Sequence, residues 1–258
     1  MRTVHATRYV TPLREGGSLP AVIEADDEGL YVLKFRGAGQ GCKALIAELV
    51  CGEVARVLGL PVPEIVFVQL DAELARTEPD AEIQDLIRRS AGLNLALDYL
   101  PGSVAFDPLA HRLDAALASR IVWFDAFVTN VDRTPRNVNL LMWHRKPWLI
   151  DHGAALIVQH QWEGWGQRVA SPFAMIKDHV LLSSASLLTA ADAECAQRLT
   201  PAEIERIVGL IPEGWLEETA VFATRDAQRA AYAGYLLQRL QAPRAFVEEA
   251  ERARAVHL

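Results

Sequence analysis

The chain has 258 residues, 51% of them hydrophobic and 23% charged, enough apolar material for a substantial core in one two-lobed domain or two small ones. A net charge of −7 argues against direct nucleic-acid binding, because neutralising phosphates needs clustered Lys and Arg. There is no apolar run of membrane-spanning length and no signal-peptide stretch near Met1, so no membrane association is expected; Cys42, Cys51 and Cys195, at unrelated spacings, read as reduced thiols in a cytoplasmic protein.

From the N-terminus, His5–Leu13 reads as a strand, Arg14-Glu15-Gly16-Gly17-Ser18 as a glycine turn, and Ala21–Ala25 as a second strand. Asp26-Asp27-Glu28-Gly29 is a hairpin connection, and a third strand, Leu30–Arg36, carries Lys34. Side chains alternate along a strand, so Lys34 shares a face with Val32. There Lys34 could reach phosphates while Val32 covers an adenine; an edge-strand lysine in water is the alternative. Gly37-Ala38-Gly39-Gln40-Gly41-Cys42-Lys43 follows, but lacks both the Gly-Lys-Ser/Thr ending of a P-loop and the dinucleotide glycine spacing, and reads as a linker. A helix from about Ala44 to Leu58 ends at Gly59 and Pro61. On it Glu48 sits among Leu45, Ala47, Leu49 and Val50, where an acid is either half-exposed or paired, with Lys34 as the partner a kinase needs. Glu24, Glu53 and Glu64 read as surface charges.

The most informative stretch is Asp125–Gly153, in which Asp132 precedes Asn137 by five positions and a hairpin ends in Asp151-His152-Gly153. Phosphoryl transfer to a hydroxyl needs this order: Asp132 in a turn orients and deprotonates the acceptor, while Asn137 and Asp151 hold magnesium. The bland alternative is an Asp-capped turn beside an exposed hairpin. Arg133, Arg136, Arg145 and Lys146 form a basic patch beside this loop, fit for phosphates, for an acidic substrate, or for nothing but water. Beyond Ala154 the chain reads as helical. Thr200-Pro201-Ala202-Glu203 is a capping box, a further helix spans about Arg225–Leu240, and Gln159–Gly166, with Trp162 and Trp165, reads as a loop of activation- or substrate-segment type. His179 reads as structural rather than catalytic.

Together these residues resemble the HipA-like kinases, the bacterial serine/threonine kinases of toxin–antitoxin modules, and more distantly the phosphoinositide lipid kinases. The helix with Gly59-Leu60-Pro61-Val62-Pro63-Glu64 is similar to the family's "E…A..LGLPVPE" segment, with Glu48 at its acid, and Asn130-Val131-Asp132-Arg133 with Asn137 is similar to its N-x-D-R-H-x-x-N loop. The resemblance implies a two-lobed α+β fold, a β-rich lobe over 1–100 and a helical lobe over 101–258. It implies ATP and Mg2+ as cofactors, Lys34 on the α/β-phosphates held by Glu48, Asp132 as base, and Asn137 and Asp151 as metal ligands. It further implies that Gly16, Gly17 and Ser18 cover the phosphates, that Asp98, Tyr99 and Leu100 bond adenine through their backbone, and that Ser18 is a site of autophosphorylation, against the plainer reading of Ser18 as a turn residue whose hydroxyl bonds the backbone. The acceptor is a protein or small molecule that the sequence does not identify, and an antitoxin partner is implied.

Thr134 stands where the family usually has histidine, and Asp151-His152-Gly153 is nearer to the D-F-G of other kinases than to the usual HipA metal motif. The length is too small for the extra N-terminal subdomain of the larger HipA toxins. Two alternatives stay open: a small-molecule kinase, whose aspartate commonly follows His-Gly rather than Thr129-Asn130-Val131, and an ATP-binding pseudokinase acting as an interaction module.

Overall fold

The computed structural model describes residues 1–13 and 19–256, with only the backbone of Thr77. Gly16, Gly17 and Ser18 lie outside the described residues. The chain forms two compact units, Met1–Leu49 with Pro63–Gly102, and Val50–Val62 with Ser103–Leu258. Among the described residues, no helix is long and apolar enough to cross a membrane.

The first unit is a small closed barrel of β1 (Thr3–Pro12), β2 (Ala21–Ala25), β3 (Leu30–Lys34), β4 (Ile65–Leu70) and β5 (Gly92–Asp98), in the order β1-β2-β3-β5-β4. The β2–β3 hairpin pairs Ala21 with Leu33 through Glu24 with Leu30, as the alternating pattern requires. Closure comes from a parallel pairing of β1 with β4, Thr3 opposite Phe67 and His5 opposite Gln69. Val4, Ile23, Leu33, Val66, Val68 and Ala96 fill the interior, joined by Ile83, Leu86 and Ile87 from an amphipathic helix, Ala81–Arg89, whose Asp80 caps it by accepting from the Glu82 N–H. Each such aliphatic side chain contributes about 1.5–3 kcal/mol by leaving water.

Strand β3 stops two residues before the expected Arg36. The buried Asn94 takes the Arg36 N–H onto its Oδ1 (2.8 Å) and spends its own amide on Ser90 and Gly92, which withdraws the chain from the ladder. The next residue must be glycine, since a Cβ on Gly37 would lie 2.7 Å from Ser90 Oγ.

Helix α1 (Cys42–Val57) is buried along almost its whole length and ends at Gly59, whose φ of +72° suits glycine. The Gly59 N–H bonds Arg56 O and the Leu60 N–H bonds Ala55 O, the paired closure that satisfies the last carbonyls. Glu53, expected at the surface, is instead almost buried beside Arg56 (3.0 Å) and Arg206 (3.9 Å). Its helix face turns inward, and two guanidinium groups replace the lost water.

The second unit is mostly helical. After α2 (Ala81–Arg89, above) the helices are α3 (Ala115–Phe127), the single turn α4 (Trp165–Arg168), α5 (Leu188–Arg198), α6 (Pro201–Gly209), α7 (Arg225–Leu240) and α8 (Ala245–Val256). α3 is apolar on nearly every side and central: Trp123 stacks on Phe127 at 5.1 Å and meets the edge of Phe246 at 5.5 Å. Of the expected capping box the threonine half forms, Thr200 accepting from the Glu203 N–H above Pro201, while the Thr200 N–H bonds Arg198 O and the Glu203 carboxylate accepts from Arg206. The stretch from Ala154 to Leu187 departs from the helical expectation; it contains only short 3-10 turns, at Ile157–His160, Ala174–Asp178 and Leu182–Ser184, besides α4. Left-handed backbone at Leu156, Gly164 and Phe173 breaks each attempt at a longer helix.

A three-stranded sheet, β6 (Val104–Ala105), β7 (Leu140–Trp143) and β8 (Lys146–Leu149), completes this unit. The β7–β8 turn places His144 at φ +48° and Arg145 at φ +65°, both left-handed and neither glycine, where such turns favour Asn-Gly. Arg145→Gly is therefore expected to raise stability by about 1 kcal/mol, read as a higher urea midpoint. An unchanged or lower midpoint would mean that the turn carries no strain.

Candidate active site

The site is built from the C-terminal end of α3. Asp125 lies in the last turns of this apolar helix, fully buried, and its carboxylate organises the loop that follows. Arg133 Nε donates to Asp125 Oδ2 at 2.6 Å, and Asn130 Nδ2 donates to Oδ1 at 2.7 Å. His179 Nε2 also lies 2.9 Å from Oδ2. Because the Leu181 N–H donates to His179 Nδ1 (3.0 Å), that nitrogen is an acceptor, and the ring proton sits on Nε2, facing Asp125. Burial alone would raise the Asp125 pKa, but Arg133 and His179 outweigh it and hold the carboxyl below its ordinary range. His179 is thus structural, as the sequence suggested.

Arg133 does not belong to the surface basic patch that the sequence suggests, since its side chain has no exposed area. Its guanidinium binds Asp125 and also reaches the carbonyls of Asn139 and Ile150 (the latter at 3.4 Å), so it ties the loop to both strands of the β7–β8 hairpin. Arg136, Arg145 and Lys146 are exposed.

Asp132 projects from this scaffold. Its N–H donates to Asn130 Oδ1 (3.1 Å), a local turn that fixes its backbone. A tight turn at Thr134–Asn137, with Pro135 second, returns the chain so that Asn137 Nδ2 donates to Asp132 Oδ2 at 2.7 Å. Thr134 replaces the family's histidine within that turn, where its backbone pairs with Asn137 in both directions and its Oγ1 accepts from the Asn137 N–H at 3.4 Å. Asn139, which the sequence reading passed over, donates to the Asp132 carbonyl (2.9 Å) and to Oδ2 (3.3 Å). Partial burial raises the Asp132 pKa, and the nearby charge of Asp151 pushes it in the same direction, while the two asparagines oppose.

Asp151 reaches this place because the Ile150 N–H bonds the Asn139 carbonyl (3.2 Å) at the base of the hairpin. Thr129, Asn139, Asp151 and Leu156 all have φ between +49° and +56°, so four non-glycine residues of one small region hold left-handed backbone. Such strain persists only where the surroundings over-determine it. His152 is buried, with its ring edge-on to Phe124 at 5.6 Å.

The remaining candidates belong to the barrel unit. Lys34 Nζ lies 3.7 Å from Glu48 Oε2; Glu48 is 1% exposed and Lys34 12%. A buried acid on α1 is thereby matched to a strand lysine, as the apolar surroundings of Glu48 suggested. Val32 lies half-buried on the same strand. The N–H groups of Asp98 and Tyr99 are committed to Glu64 O (2.8 Å) and Leu30 O (3.0 Å), so neither can also donate to a base. Leu100, the third residue of that stretch, is buried.

Among the described residues no group of three or more His, Cys, Asp or Glu is gathered to hold a metal. The donors that are present still fit magnesium. They are hard oxygens, and Mg2+ typically takes only one or two carboxylates, completing its shell with phosphates and water. Asn137 spends its amide nitrogen on Asp132, which leaves its carbonyl oxygen for a cation, and the mutual repulsion of Asp132 and Asp151 favours positive charge nearby.

The HipA-like kinase model matches residues 7–248, and the chain belongs to that family. No curated protein matches the sequence. Among solved structures, the proinflammatory kinase CtkA of Helicobacter pylori aligns over 99% of both chains with a TM-score of 0.57 at 12% identity, which shows the shared two-lobed α+β fold. The Golgi casein kinase with Mn/ADP bound aligns over 95% of this chain and 73% of its own, with a TM-score of 0.48 at 12% identity. A second structure of the Golgi casein kinase aligns over 97% and 72%, with a TM-score of 0.47 at 11% identity.

Proposed function

We propose that this HipA-like kinase transfers the γ-phosphoryl group of ATP, with Mg2+, to a serine or threonine hydroxyl of a protein. The observation that carries this reading is the state of Asp132: two asparagine amides engage Oδ2, which fixes the carboxylate plane and aims Oδ1 at an acceptor. Asp132 orients the hydroxyl and accepts its proton as the P–O bond to the acceptor forms and the bond from the γ-phosphorus to the bridging oxygen breaks, ADP taking that electron pair as it leaves. Lys34, held by Glu48, neutralises the α/β-phosphates, and Val32 covers the adenine. Gly16, Gly17 and Ser18 cover the phosphates. With the Asp98 and Tyr99 donors already spent, the backbone contact to adenine falls to Leu100.

Asn137 and Asp151 would hold the magnesium, which neutralises charge building on the phosphate oxygens. The protein's own work is positioning and charge compensation, since this reaction asks for little covalent chemistry from the enzyme.

Thermal unfolding with and without nucleotide tests the reading. ATP at about 100 times its Kd should add about 2.7 kcal/mol, a readily visible rise in Tm. The rise should require magnesium and shrink in Asp151→Asn, which removes a charged ligand. A folded protein whose Tm ignores millimolar ATP and magnesium would rule out nucleotide binding and the proposal with it.

A further inference from the structure

Arg239 is a second buried arginine of the helical unit, and it lies far along the chain from the loop of Asp132, on α7. It is 3% exposed. Four of its hydrogen bonds go to main-chain carbonyls. Nε donates to Phe127 O (2.8 Å) and Nη2 to Ala126 O (2.8 Å), while Nη1 donates to Val169 O (2.9 Å) and Ser171 O (3.3 Å). Phe246 lies under the guanidinium at 4.9 Å and Tyr235 at 5.7 Å. Burial lowers its pKa, so holding the charge here is costly, and the side chain that acts against this is Tyr235 rather than a carboxylate.

The end of α3 offsets the cost as well. The last carbonyls of a helix lack partners within the helix and carry the negative end of its dipole. Arg239 takes two of them, and the Leu156 N–H takes the next, Val128 O, at 2.8 Å. Thr129 Oγ1 accepts from the Ile157 N–H at 3.3 Å. The segment after Asp151-His152-Gly153 is therefore fastened to the end of α3 at its beginning, by Leu156 and Ile157, and near its end, at Val169 and Ser171, through Arg239. The loop bearing Asp132 starts at that same end of α3.

We infer that Arg239 is a positioning residue for phosphoryl transfer, a fork that locks the loop of Asp132 and the segment 156–171 into one unit. The inference rests on the kinase reading for its kinetic consequence but not for its structural one. Only a planar fork reaches both sets of carbonyls; a lysine keeps the charge and loses the geometry.

The test compares Arg239→Lys with Arg244→Lys in the full chain. Arg244 makes a similar fork, to Asp192 and Leu240 O, away from the loop. Arg239→Lys should lower the kcat for transfer about tenfold or more, with the Kd for ATP shifted less than about threefold. It should also speed hydrogen exchange in peptides covering 128–140 and 160–175. Arg244→Lys should leave both at wild-type values even where its Tm falls as far. Wild-type exchange in those peptides of Arg239→Lys, or the same acceleration in Arg244→Lys, overturns the inference. If the wild type transfers no phosphate, the kinase reading fails and the exchange comparison alone decides the role of Arg239.

Discussion

Replacing Arg133 with methionine is expected to cost the fold about 3–5 kcal/mol, the loss typical when one partner of a buried ion pair is removed. The variant would leave the Asp125 carboxylate buried without its principal counter-charge, and would take one donor from each of the Asn139 and Ile150 carbonyls. Urea unfolding reads the loss directly, and a midpoint near wild type would mean that the pair does not hold the loop. The same pair makes stability depend on pH. The folded pKa of Asp125 lies below its unfolded value near 3.8, so its contribution is complete above that value and is lost as pH falls below it. Asp125→Asn should flatten this acid limb, and an identical limb in the variant would assign the acid sensitivity to other groups.

Asp132→Asn should lower kcat by about 10²–10⁴-fold, the range for a positioned general base, while the Kd for ATP stays within about threefold of wild type. The split follows from geometry. Asparagine preserves the shape that Asn137 and Asn139 engage, and it removes only the charge that receives the acceptor's proton. A parallel loss of ATP affinity would place Asp132 on the nucleotide rather than on the acceptor.

Much of the fold was legible because it is local. Strand β2, the Asp26–Gly29 turn, the Gly59 helix stop and the Thr200 helix cap all follow from patterns within a few residues, and the structure gives them nearly the expected bounds. The Lys34–Glu48 approach was legible for a different reason, since an acid in an apolar helix face needs a partner. Asp125 carries the same signal, an acid within an apolar run, and its partner Arg133 is hidden among the other basic residues of the loop that follows. The parallel closure of β1 on β4 leaves no local trace, as parallel strands need a long crossover.

Arg133 and Arg239 read as surface charges or as nothing in a linear sequence. Arginine is usually exposed, and their partners are helix-end carbonyls and a buried acid that only the folded chain assembles around them. Asn139 was missed because a second asparagine two positions after Asn137 adds nothing to the motif until its amide is seen on Asp132.

The most direct test of phosphoryl transfer is incubation with ATP labelled on the γ-phosphate, in magnesium buffer, with a lysate as the source of acceptors. Wild type should place label on protein serine or threonine in a magnesium-dependent manner, and Asp132→Asn, shown to be folded and to bind ATP, should not. Equal labelling by the two proteins, or none by either, would contradict the account.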